Sequence, residues 1–129
     1  MHKWSGWLLV LAIAAIIATG GILTQRYLDR SSDQLATRLG RVRQAVEQRD
    51  WQGSESSFRD LEKCWHSVDK NWALFTDHLE LDNLEMSLTR LQGFIEAQDE
   101  VNAMVEAGEV LSLIRHVPER ERLTWRNVF

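Results

Sequence analysis

Between Phe58 and Leu79 seven large apolar residues recur at gaps of three, four, three, four, three and four: Phe58, Leu61, Trp65, Val68, Trp72, Phe75 and Leu79. Only an α-helix returns to one face with that alternation. With Trp51 ahead of it, the stripe carries more ring surface than a lone helix can hold in water, so other helices must cover it. The spacing predicts a central helix capped by Asp50. It should break near Thr76–Glu80, where the phase shifts to a new stripe of Leu81, Leu84, Leu88, Leu91 and Ile95.

Two further helices follow from the same reasoning. Leu28, Leu35, Leu39, Val42 and Val46 form a stripe that ends near Arg49. A last helix starts near Asp99, carries Val101, Met104, Val105, Leu111 and Ile114, and must stop before Pro118, the only proline. His116 then marks a helix end, where the dipole favours an imidazole. A shift of 49 residues lays Leu35 on Leu84, Leu39 on Leu88, Arg41 on Arg90, Val46 on Ile95, Glu47 on Glu96 and Asp50 on Asp99. Each half reads as helix, acidic turn, helix. The fold class is all-α: an N-terminal transmembrane helix followed by a four-helix bundle, in the form of two stacked α-hairpins if the repeat is real rather than a coincidence of amphipathic helices.

The N-terminus is of a different kind. From Trp7 to Leu23 there is no charged residue, and Trp4 to Leu23 makes twenty residues. At ~1.5 Å per residue that crosses a hydrocarbon core of about 30 Å. Trp4 and Trp7 at one border and Tyr27 at the other fit interfacial belts. An uncleaved anchor contacting the bilayer through residues 4–23 is expected, since the apolar run outlasts a usual signal core; cleavage after Gly20 is the competing reading. The organisation is then an anchor at 1–25, a soluble bundle at 26–117, and a C-terminal tail at 118–129 packed on the bundle. The chain could bend at Gly20-Gly21, start a new helix at Ser31-Ser32-Asp33, or run straight on. The arginines after the span favour a cytoplasmic bundle. The short N-terminal tail before a signal-like core favours export, and an extracytoplasmic bundle in a single-pass cell-membrane protein is the expectation.

Net charge is −4, and the arginines alternate with acids instead of forming a block, so nucleic-acid binding is not expected. One cysteine, Cys64, excludes an internal disulfide and a cysteine-only metal site. It reads as a small, half-buried hydrophobe. The densest polar stretch runs from Asp77 to Glu85. On a helix His78, Asp82 and Glu85 share a face and could hold a divalent cation or form an acid/base pair. The plainer reading has His78 bonding at the helix–helix turn and the acids in solvent. No phosphate loop, nucleophile elbow or paired CxxC is present, so no catalytic residue, cofactor or enzymatic activity is expected. Leu123, Trp125, Val128 and Phe129 are too apolar for a free tail and should fold back, or else dock on a partner.

The chain resembles the bacterial family named domain of unknown function 4363, short proteins with one N-terminal span and a helical remainder. The resemblance runs through Asp50-Trp51, Trp65, Trp72, Asp77-His78, Glu80, Asp82-Asn83, Ser87-Leu88 and Arg90-Leu91. It is most specific from His116-Val117-Pro118-Glu119 through Leu123-Thr124 to Asn127-Val128-Phe129. It implies an anchored helical fold, a membrane partner and no particular activity. The functional expectation is a membrane-anchored interaction or scaffold protein that binds a membrane protein or itself, with Trp51, Trp65, Trp72, Trp125 and Phe129 as interaction candidates. The alternative is a metal- or ligand-sensing domain built on Asp77–Glu85.

Overall fold

The computed structural model describes residues 2–128. It comprises α1 (His2–Glu47), α2 (Trp51–Trp72), α3 (His78–Glu96) and α4 (Glu100–Val128), with no strand among the described residues. α1 packs on α2 and α4, and α3 packs on α4 and α2.

α1 is a single helix with two environments. Gly20-Gly21 does not break it, and neither does Ser31-Ser32-Asp33. Its first half leaves Trp4, Leu8, Leu11 and Ile16 more than 60% exposed. This half is long and apolar enough to cross a membrane, a property that signal sequences share. From Leu28 onward the stripe Leu28, Leu35, Leu39, Val42 and Val46 is fully buried. Ser31 and Ser32 are not caps but buried members of that face. Ser31 Oγ donates to Tyr27 O at 2.8 Å and accepts from Trp72 Nε1 at 2.8 Å.

α2 buries Phe58, Leu61, Trp65, Val68 and Trp72 as its spacing requires. Trp65 and Trp72 meet edge to face at 5.6 Å. The predicted stripe ends two members early. The helix stops at Trp72, not near Thr76–Glu80; Phe75 is only partly buried against the core and Leu79 is exposed. The cause is Asp77, whose carboxylate accepts from Glu80 N at 3.0 Å and starts a new helix there.

The α4 stripe also differs from expectation. Val101 and Val105 face out, and the buried face is Ala103, Ala107, Val110, Ile114 and Val117. Ranking by side-chain size favoured the valines, whereas close helix contacts accept alanine. With that register the 49-residue repeat extends through both hairpins. Ser54, Phe58, Leu61, Trp65 and Val68 correspond to Ala103, Ala107, Val110, Ile114 and Val117, all buried. The turns match bond for bond. Asp50 N donates to Ala45 O and Arg49 N to Val46 O; Asp99 N donates to Phe94 O and Gln98 N to Ile95 O, all at 2.9–3.0 Å. This is the Schellman closure, and the Asp that completes it is in each case also the N-cap of the following helix. Hydrogen bonds from Asn102 hold the Asp99 carboxyl below its usual range. Its capping is therefore in place above the ordinary carboxylate pKa and is lost as pH falls through the lowered one.

Both turns hold a non-glycine residue at positive φ, Arg49 at 55° and Gln98 at 56°. Glycine there removes a Cβ clash at some entropic cost, for a net gain of about 0.5–1 kcal/mol. Gln98→Gly should raise the denaturant midpoint of the bundle. Arg49→Gly should raise it less, because it also loses the exposed 2.7 Å ion pair to Glu100 that ties the two turns together.

Candidate functional site

The opposite end of the bundle, where α1 emerges from its apolar half, gathers the irregular features of the chain. The C-terminal part of α2, the α2–α3 connection, the start of α3 and the last turns of α4 all converge there. Tyr27 OH accepts from Asn71 Nδ2 at 2.9 Å. Gln25, Asp29, Ser32 and Asp33 of α1 meet α4 between Ile114 and Arg122.

Pro118 does not end α4. The helix runs through it to Val128, so the expected stop is wrong and the tail continues α4 as far as Val128. Proline has no N–H, which leaves the Ile114 carbonyl without its helical donor. Ser32, fully buried on α1, supplies the replacement: its Oγ donates to Ile114 O at 3.2 Å. The Pro118 carbonyl accepts from Gln25 Nε2 at 3.1 Å. Ser32→Ala should therefore cost about 1–3 kcal/mol, the price of a buried unpaired carbonyl. In a Pro118→Ala background residue 118 has an N–H again, and the same change should cost clearly less. Chemical denaturation of the four chains of that double-mutant cycle checks it.

Ion pairs frame this contact. Arg122 grips Asp29 through two oxygens at 2.9 and 3.0 Å, and Arg115 meets Asp33 at 2.6 Å. On the α3 side the largely buried Glu80 accepts from Thr76 Oγ1 and Arg120 Nη1, with His116 Nε2 at 3.3 Å. His116 is thus a mid-helix residue facing a carboxylate, not the end of a helix. Further toward the span, Trp125 lies over Gly21, where a Cβ would come within 3.0 Å of the indole. A groove of about 500 Å³ opens beside this contact, lined by Ala18, Gly21, Ile22, Gln25, Arg122, Trp125 and Arg126.

The residues singled out from sequence are scattered. His78, Asp82 and Glu85 all lie exposed on α3, and the cap of that helix is Asp77, not His78. Among the described residues no group of three or more His, Cys, Asp or Glu side chains comes together to hold a metal ion. Trp65 and Trp72 are 1% and 0% exposed, so they are core and present no surface to a partner. Trp51 packs partly buried against that core, and Trp125 is half-buried on Gly21. Phe129 lies outside the described residues. Cys64 is buried, and desolvation raises its thiol pKa against the pull of Arg38, as suits a packing residue. Ser32, Gln25 and Gly21 were missed, although a proline inside an apolar-periodic helix signals that a neighbour must supply a donor.

These features define an all-α protein: two stacked helical hairpins whose first helix continues into an apolar segment. The model of the family described as "Domain of unknown function (DUF4363)" matches residues 22–128, and the chain belongs to that family. No curated protein and no solved structure matches it.

Proposed function

We propose that this protein is a single-span, non-catalytic membrane anchor that holds a rigid helical interaction module against the bilayer, where it binds a membrane protein or a second copy of itself. The observation that carries the reading is the continuity of α1. One helix supplies both the exposed apolar segment at residues 4–23 and the buried stripe from Leu28 to Val46, with no flexible joint between them. A tether that only kept the bundle near the membrane would not need that rigidity. Among the described residues only its last turns are covered, by Trp125 over Gly21, so lipid or another membrane helix must cover the rest.

An extracytoplasmic bundle is part of this reading, although the arginines after the span count toward the cytoplasm. A cysteine at the exposed Gln52, in a Cys64→Ser background, tests the side: labelling of intact cells by an impermeant thiol reagent supports export, and labelling only after lysis refutes it. The interaction reading is tested on the purified full-length chain in detergent. Self-association, or retention of one membrane protein from native membranes, supports it. A monomer that retains nothing counts against it.

A further inference from the structure

We propose that the base of the bundle is a binding site for an anionic phospholipid, whose acyl chain lies in the groove beside Gly21 and Trp125 and whose phosphate is held by Arg126 and Arg26. This rests on the reading of residues 4–23 as a span. The first argument is depth. Gly21 belongs to the last turns of that span, and α4 is antiparallel to α1, with residue 125 beside residue 21 and residue 114 beside residue 32. The last turn of α4 therefore sits at the hydrocarbon border. Arg26 follows Leu23 by three residues, about 5 Å, within a polar layer that is about 5–8 Å deep on each face. Aqueous solvent is not what meets an apolar groove at that level; lipid is.

The second argument is charge. Along the bundle most arginines are paired: Arg38 and Arg41 with Asp60, Arg49 with Glu100, Arg90 with Glu106, Arg115 with Asp33, Arg120 with Glu80 and Arg122 with Asp29, while Arg43 and Arg59 are not. Among the described residues, Arg26, Arg30 and Arg126 at the base make no ion pair. Arg26 lies one turn beyond Ile22 on the same face of α1, and Arg126 lines the groove itself. Arginine presents a planar fork that suits a phosphate, and two of them at one border complement an anionic headgroup.

The third argument is the rim. Three strongly exposed leucines, Leu74, Leu79 and Leu123, lie toward this end, while the comparably exposed Val101 and Val105 lie at the other. Leu74 follows Asn71, which meets Tyr27; Leu79 precedes Glu80, which meets His116 and Arg120; Leu123 adjoins Arg122, which meets Asp29. Such a collar beside unpaired arginines is the composition of a surface that rests in the interface. Gln25, in the groove wall, also has a buried Oε1 with no donor. A headgroup hydroxyl supplies one, which makes phosphatidylglycerol the probe.

The experiment is native mass spectrometry of the full-length chain released from detergent with phosphatidylglycerol or phosphatidylcholine. The result expected is one retained phosphatidylglycerol per chain in preference to phosphatidylcholine. In Arg26→Gln/Arg126→Gln that preference should fall by about twenty-five-fold, roughly fivefold for each cation near an anionic surface. Ala18→Phe, which fills the groove and removes no arginine, should lower retention of both lipids. Equal retention of the two lipids, retention unchanged in the variants, or a groove closed by a second copy in a lipid-free dimer overturns the proposal. Carbonate extraction of membranes holding the same chains separates the two failures: a chain released from the membrane refutes the span itself, and a chain that stays without selective lipid refutes only the site.

Discussion

Trp72→Ala should destabilise the bundle by about 3–5 kcal/mol, the largest loss expected from any single core truncation in this chain. Trp72 is fully buried, and three contributions converge on it. Its area is the largest of any residue type, and removal leaves a cavity at the end of α2 that the rigid α1 cannot collapse to fill. Its edge-to-face contact with Trp65, at 5.6 Å, adds about 0.5–1.5 kcal/mol beyond burial. Its indole N–H donates to Ser31 Oγ at 2.8 Å, so truncation also removes a buried hydrogen bond between α2 and α1. Trp72→Phe keeps most of the packing and loses the bond, and should cost less than half as much. Guanidinium unfolding of the full-length chain in detergent, followed by far-UV circular dichroism, measures both. A cost for Trp72→Ala under 1 kcal/mol would mean that the tryptophan stripe is not the core of the fold.

The second large effect concerns the other half of α1. Leu11 and Ala15 share a face at the middle of the apolar segment, and both are exposed. An aspartate at the centre of a spanning helix costs about 2.5–3.5 kcal/mol on insertion scales, so Leu11→Asp with Ala15→Asp should remove about 5–7 kcal/mol of insertion free energy. The double variant should leave the carbonate-resistant membrane fraction. Neither residue touches the bundle, so its unfolding midpoint should stay where it was. Loss of membrane association with an intact bundle is the signature of a span; loss of both would show that the apolar half packs within the protein instead.

How far the sequence carried the reading depends on how local each feature is. The central stripe, the cap at Asp50, the repeat and the apolar segment are all written in spacing along one helix, and each is present in the fold. The end of α2 was misplaced because Asp77, as a cap, outweighs the continuing apolar periodicity of Phe75 and Leu79. The face of α4 was misread because Ala103 and Ala107 carry little hydrophobic weight yet are what a close helix contact accepts. Local sequence alone makes Pro118 a helix stop. What keeps it in a helix is Ser32, 86 positions earlier in the chain, and such a donor cannot be seen until the two helices are side by side. The same holds for the site at the base. Gly21 and Trp125 are unremarkable letters until antiparallel packing puts one over the other. By contrast, His78, Asp82 and Glu85 do form a pattern along one helix, yet they lie exposed and no cluster of three such side chains forms among the described residues.

The central claim, that α1 runs rigidly from the bilayer into the bundle with the bundle base at the interface, is tested most directly by a depth profile. Single cysteines introduced in a Cys64→Ser background from residue 8 to residue 30, and at Leu74, are labelled with nitroxide in the full-length chain reconstituted into bilayers. The ratio of oxygen to nickel-chelate accessibility is then read at each. The account predicts one maximum near Ile13-Ala14, the midpoint of residues 4–23, a fall to headgroup values by Arg26, and a headgroup value again at Leu74. A flat, water-like profile across residues 8–22 would contradict it, as would an aqueous value at Leu74 beside a normal maximum in the span.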